Sequence, residues 1–174
     1  MSSERVRVVT NSGDFVIELD RGRAPLTVEA FLKYVNQGFY NGVVFHRVVA
    51  GFIAQTGGFT VEMQQKPVTA NVVNESGNGL ANLRGKVAFA RSNGPHSATS
   101  QFYVNLADNV DLNPRPTRWG YAVFGKVISG TEVVDAIEGV ATGSRGGHGD
   151  VPLEDVQIVS AKLAAFLLEN PQDA

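Results

Sequence analysis

Short runs of β-branched and aromatic residues, several alternating apolar with polar, dominate this chain, and a spacing near 3.6 interrupts them in two places. Residues 5–10 and 15–19 alternate on either side of Asn11-Ser12-Gly13-Asp14, which predicts a β-hairpin with turn-forming residues at its tip. Further β-rich runs fall at 43–49, 52–55, 86–91, 101–106, 121–128 and 155–161. The first helical spacing covers 27–37, where Val28, Phe31, Leu32 and Val35 share a face, Thr27 after Pro25 is the expected N-cap, and Gly38 stops the helix. The second covers 131–138, with Thr131 as the expected N-cap, Val133, Val134 and Ile137 on one side, and Gly139 following.

Many short strands with two separated helices predict a mainly β fold, a closed or nearly closed barrel whose ends the helices cover. A chain of 174 residues with 43% hydrophobic residues can bury one substantial core, so a single domain is expected over 1–174. The irregular stretch from Met63 to Arg84, rich in Asn, Gly and Gln, is either functional or packed on the surface. Gly143-Ser144-Arg145-Gly146-Gly147-His148-Gly149 lacks the Gly-Lys-Ser/Thr ending of a phosphate loop and reads as a flexible turn.

Charge and composition narrow the function. Lys+Arg of 15 against Asp+Glu of 17, a formal charge of −2, provides no basic field for nucleic acid. The absence of cysteine removes disulfides, thiolate chemistry and thiolate metal sites. His46, His96 and His148 have no metal-ligand spacing, and His46 is expected to be a hydrogen-bonded core residue. The start, Met1-Ser2-Ser3-Glu4-Arg5, has no leader pattern, and no apolar run reaches membrane-spanning length, so a cytoplasmic location without membrane contact is expected.

Three segments carry candidate chemistry. Val44-Phe45-His46-Arg47-Val48-Val49-Ala50-Gly51-Phe52-Ile53-Ala54-Gln55 places an arginine and a glutamine in an otherwise apolar run, with strand parity setting Phe45, Arg47 and Val49 opposite His46 and Val48. In the segment from Ala88 to Tyr103, parity separates Gln101, Tyr103 and Asn105 from Phe102, Val104 and Leu106, one face polar with an aromatic and the other core. The third comprises Asp111-Leu112 and Trp119-Gly120-Tyr121-Ala122-Val123-Phe124-Gly125.

Over roughly residues 5–163 these segments resemble the cyclophilin family of peptidylprolyl isomerases, whose signature strand is F-H-R-[IV]-[IV]-x-G-F-x-x-Q-G-G and whose later stretch ends S-Q-F-F. The extra residues Asn113 to Arg118 and the segment Ala141-Thr142-Gly143 look like the bacterial branch. The resemblance implies an eight-stranded antiparallel barrel capped by two helices, closed, with 164–174 as a C-terminal extension past the family's usual end. It also implies rotation about X-Pro bonds in peptides and unfolded protein chains, by a monomer without cofactor or metal. Carried over residue by residue, Arg47 is the catalytic cation. Phe52, Ile53, Tyr103, Leu112 and Tyr121 line the proline pocket, Gln55 holds either the Arg47 guanidinium or the substrate backbone, Gln101 lines the groove, and the Arg91-Ser92 backbone offers hydrogen bonds to an extended peptide. Thr56 stands where the family usually has glycine, Tyr103 where it has phenylalanine, and Asp111 where many eukaryotic members carry the tryptophan that helps hold cyclosporin. Weak cyclosporin binding follows from that last difference.

Overall fold

The protein is described here by a computed structural model covering residues 3–164; apart from Ala164, the expected C-terminal extension lies outside the described residues. In chain order the elements are β1 (Arg5–Thr10), β2 (Gly13–Leu19), α1 (Pro25–Asn36), β3 (Arg47–Val49), β4 (Ile53–Thr56), β5 (Lys86–Phe89), β6 (Phe102–Asn105), β7 (Val123–Ser129), α2 (Thr131–Glu138), β8 (Thr142–Arg145), β9 (His148–Pro152) and β10 (Ile158–Leu163). Eight strands form one antiparallel sheet in the order β10-β1-β2-β7-β5-β6-β4-β3.

The sheet is a curled half-barrel, open rather than closed. Its end strands β10 and β3 do not pair. Residues 42–45, just before β3, instead bridge to the start of β10 and the chain before it, through Gly42 N to Ile158 O at 2.7 Å, Ile158 N to Val43 O at 2.8 Å and Phe45 N to Val156 O at 2.8 Å. Because residues 43–46 run in this bridge and β3 begins only at Arg47, strand parity does not extend back to Phe45, which is buried in the core while Arg47 is exposed.

Inside the curl lies an aromatic core centred on Phe31 of α1. Its ring meets Phe102 edge-on at 5.1 Å, Phe124 at 5.0 Å and Tyr40 at 5.5 Å. Such pairs add specific geometry to a large apolar burial. Val133, Val134 and Ile137 of α2 join the same core, as their spacing predicts. Gly143–Gly149 is no loose turn: β8 and β9 form a hairpin across Gly146 and Gly147, whose φ of 60° and 82° suit a two-residue turn that twists with its strands.

Both helix starts differ from expectation. Pro25 opens α1, where its missing N–H costs nothing, so Thr27 lies inside the first turn. Its role as cap passes to Glu75 in the long irregular stretch, whose carboxylate accepts from Leu26 N at 3.1 Å, Thr27 N at 2.7 Å and Thr27 Oγ1 at 2.6 Å. In α2 the cap is Gly130 at φ 82°, where a Cβ would come 2.3 Å from Asp14 O, and Thr131 is the first helical residue. Glu75→Ala leaves two end N–H groups of α1 without that acceptor and is expected to lower stability by about 1–2 kcal/mol, with Glu75→Gln losing less; urea unfolding of the three proteins checks it, and an unchanged midpoint for Glu75→Ala contradicts the capping role.

Candidate active site

Antiparallel register builds the site. Direct cross-strand partners share a face of the sheet, and the partners Val123–Ala88, Ala88–Tyr103, Tyr103–Gln55 and Gln55–Arg47 run in one row across β7, β5, β6, β4 and β3. The row lies on the face of the sheet away from the aromatic core, where neighbours one residue along, such as Val87, Val104, Ala54 and Val48, point inward. Around it Ile53, Ala88, Tyr103 and Val123 form a second buried cluster, against which Phe52, Leu80, Ala90, Leu112 and Tyr121 pack. The five expected pocket residues Phe52, Ile53, Tyr103, Leu112 and Tyr121 thus come together. Ala88, Val123 and Leu80 were not foreseen, although the first two follow from strand parity once β5 and β7 are in register.

Arg47 stands at the end of the row, exposed, its guanidinium carbon 5.8 Å from the centroid of the Phe52 ring. Among the described residues it makes no ion pair and no side-chain hydrogen bond. Gln55 does not hold it: Gln55 Nε2 donates to Gln101 Oε1 at 2.8 Å. That pairing leaves Gln55 Oε1 as an acceptor and Gln101 Nε2 as a donor at the edge of the cluster. Gly58 makes room for it, since a Cβ there would lie 2.7 Å from Gln101 Cγ. Thr56, in place of the family's usual glycine, is buried in β4 and donates to Val44 O at 2.9 Å.

Tyr103 carries a hydroxyl on an apolar floor, and a buried asparagine accounts for it. The hydroxyl donates to Asn82 Oδ1 at 2.8 Å, which also accepts from Asn105 Nδ2 at 3.1 Å. Asn82 Nδ2 donates in turn to Leu112 O and Tyr121 O, each at 3.3 Å. Burial raises the Tyr103 phenol well above its ordinary pKa, with Tyr121 adding to the shift, so it stays a neutral donor turned toward Asn82. Asn82, fully buried at the end of the long irregular stretch, therefore ties the floor of the cluster to two of its walls. Nothing in the sequence around it marks that role.

At the far rim Arg91 stacks its guanidinium 4.7 Å from the Tyr121 ring centroid and donates to Trp119 O at 2.8 Å and Gly120 O at 3.1 Å. Ser92 N is taken by Ser97 Oγ at 3.0 Å and Ser92 O by Arg91 Nη1 at 2.9 Å. Of the Arg91-Ser92 backbone, the Arg91 amide and carbonyl remain for a peptide. Asp111 is largely exposed and ion-paired with Arg115. No group of three or more potential metal-binding side chains occurs among the described residues, and no described helix is long and apolar enough to cross a membrane.

The family model for cyclophilin type peptidyl-prolyl cis-trans isomerase/CLD matches residues 5–163. The chain belongs to this family. It is 53% identical over 161 residues to peptidyl-prolyl cis-trans isomerase cyp18 of Streptomyces antibioticus, covering 91% of this chain and 97% of that protein. It is 50% identical over 158 residues to peptidyl-prolyl cis-trans isomerase B of Escherichia coli K12, covering 89% and 96%. Among solved structures, a cyclophilin type isomerase of Cryptosporidium parvum superposes with a TM-score of 0.78 at 24% identity, over 94% of this chain and 98% of that one. A second structure of that protein was determined in the presence of the dipeptide Ala-Pro.

Next to Arg47, His46 is a core residue as expected, 5% exposed, but among the described residues its buried Nδ1 has no hydrogen-bond partner. Its ring packs 4.5 Å from Phe59, which in turn meets His148 at 4.9 Å. Burial, with the nearby His148 and Arg47 charges adding, lowers its pKa to about 4 from the usual 6.5. In that window the unfolded chain takes up a proton that the folded chain refuses, so stability falls as pH drops from about 6.5 to about 4, by about 3 kcal/mol from this group alone. His46→Leu should flatten the pH dependence of unfolding free energy by that amount; an unchanged slope between those pH values means another group is responsible.

Proposed function

We propose that this chain is a peptidyl-prolyl cis-trans isomerase that rotates X-Pro bonds in peptides and unfolded proteins, with Arg47 as the catalytic cation. Membership of the family and relatives named as isomerases at about half identity support the activity. The observation that carries the mechanism is Arg47 itself, a guanidinium without a polar partner among the described residues at the lip of a buried apolar cluster.

Rotation about a prolyl bond breaks no covalent bond. It loses amide resonance over a barrier of about 18–20 kcal/mol, and uncatalysed it takes about 10–100 s. In the twisted state the imide nitrogen becomes pyramidal and gains a lone pair that the planar ground state lacks. A fixed cationic donor stabilises that state more than the ground state, which is the condition for catalysis. Guanidinium suits the task because it stays charged and carries several donors in a rigid fork.

In this reading the proline ring rests on Tyr103 between Phe52, Ile53, Leu112 and Tyr121. Those walls exclude water and strengthen the Arg47 contact. The Tyr103 hydroxyl, given to Asn82, leaves the floor apolar. Gln55 Oε1 and Gln101 Nε2 take the peptide backbone beside the proline, and the Arg91 amide and carbonyl extend that contact along the chain. The substrate is thereby held as a strand while the bond at Arg47 turns.

Arg47→Ala is expected to fold normally and to lose at least about tenfold in kcat/KM on a proline tetrapeptide, equal to about 1.4 kcal/mol of transition-state stabilisation. With no acid, base or nucleophile invoked, the wild-type rate should be nearly flat from about pH 6 to 8. A protease-coupled assay with coupling kept fast measures both. Full activity in the folded variant, or a steep bell-shaped profile, contradicts the mechanism. A protein that binds proline peptides without accelerating their isomerisation would instead be a binding module.

Asp111 gives a second expectation. A carboxylate paired with Arg115 offers a bulky apolar macrocycle neither the face nor the N–H of an indole. Cyclosporin should bind weakly, and Asp111→Trp should tighten it while proline turnover persists. Calorimetry on both proteins decides, and tight wild-type binding or no gain in the variant contradicts the assignment.

A further inference from the structure

The loop between Leu112 and Tyr121 grows from two walls of the candidate proline pocket, which are joined at its base by Tyr121 N–H to Leu112 O at 3.0 Å. It is a built feature. Arg115 and Arg118 exchange backbone hydrogen bonds of 2.8 and 3.1 Å, Pro114 and Pro116 restrict the chain, and Gly120 packs so closely that a Cβ would lie 2.4 Å from Pro114 N. Between this loop and Ser76-Gly77 lies a cleft of about 430 Å³, lined by Pro114, Pro116, Arg115, Arg118 and Trp119. Trp119, the single tryptophan of the chain, is 47% exposed, with His96 edge-on at 5.0 Å.

Charge is unevenly shared around this rim. Among the described residues Arg47, Arg91 and Arg118 have no carboxylate partner. Arg91 spends its donors on the carbonyls of Ser92, Trp119 and Gly120, and Arg118 donates to the Asp111 carbonyl, so the hydrogen bonds are met while the positive charges are not neutralised. Of the acids close by, Asp111 neutralises Arg115, and the Glu75 carboxylate, though still charged, is turned onto the first turn of α1. Arg91 and Arg118 thus carry positive charge without a carboxylate partner on the side of the apolar cluster formed by the Leu112–Tyr121 loop. An exposed guanidinium and a half-exposed indole lining one cleft suit a short acidic side chain, whose carboxylate meets the cation while its methylenes pack on the ring.

We propose that the site selects proline peptides carrying an acidic side chain within two residues of the proline, with the Arg118–Trp119 cleft taking the carboxylate. The proposal rests on the reading of the cluster as the proline pocket. It makes Arg118 and Trp119 specificity-determining residues, with Arg91 adding to the field.

The test uses peptides capped at both ends, with Glu, Ala or Lys either immediately before the proline or two residues after it, and protease-free exchange NMR to obtain kcat/KM. At low ionic strength the Glu peptide of at least one position should exceed its Ala counterpart by about threefold and its Lys counterpart by about tenfold, the scale of exposed charge contacts. Raising salt to about 0.5 M, where the screening length falls to a few Å, should shrink both ratios. Arg118→Gln should lower the Glu-to-Lys ratio by about threefold, and Arg118→Lys should restore it. Trp119 fluorescence should change on adding the Glu peptide and less so with the Lys peptide. Equal kcat/KM for Glu, Ala and Lys at both positions in the wild type overturns the proposal, whatever the variants do, and so does a preference insensitive to salt and to Arg118→Gln. Absence of turnover with every peptide would overturn the isomerase reading itself.

Discussion

Cross-strand register is the constraint on which this site depends. Arg47, Gln55, Tyr103, Ala88 and Val123 come from five strands that are scattered along the sequence, and only antiparallel pairing at one register sets them in a row. A slip of one residue in β3 would exchange Arg47 for Val48, turning a guanidinium into the aromatic core and a valine onto the lip of the pocket. The core enforces the register because Val48, Ala54, Val104 and Val87 all need the inner face. Packing on one side of the sheet therefore sets the chemistry on the other.

The outer cluster needs its own bracing, and Asn82 supplies it. A lone tyrosine hydroxyl under an apolar pocket would be costly if unpaired and would attract water if it faced the ligand. Its bond to Asn82 removes both problems, and the same asparagine holds the carbonyls of Leu112 and Tyr121. Related bonds run along the irregular stretch: Asn74 Nδ2 donates to Pro95 O and Gly120 O, and Asn78 Nδ2 to Val123 O. The absence of regular structure there does not mean looseness, since its polar side chains replace the missing backbone ladder.

Legibility in the sequence followed the range of the interactions involved. The β1–β2 hairpin, the apolar faces of both helices and the separation of Tyr103 from Phe102 rest on local periodicity, and all three are present. The candidate site residues were readable through motifs that resemble a family, and the structure brings the five candidate pocket residues together. What local reading missed was distant or broken the pattern: the cap of α1 comes from Glu75, 48 residues beyond Thr27; Phe45 leaves strand parity because its segment bridges to Val156. The β8–β9 hairpin hid in a glycine-rich run that lacks β-branched residues, because its glycines serve the turn. The closed barrel was implied by the resemblance, and the local pattern of strands could not correct it, because strand count says nothing about whether the end strands meet.

The account stands on Arg47 stabilising the twisted bond rather than merely holding the peptide, and the interconversion rate of bound substrate separates these roles. Exchange NMR on a proline peptide saturating the enzyme measures the cis–trans rate within the complex, independently of affinity. The account predicts that Arg47→Ala slows that bound-state rate by at least about tenfold while the dissociation constant changes far less. An unchanged bound-state rate with weakened affinity would contradict it, leaving Arg47 as a binding residue only.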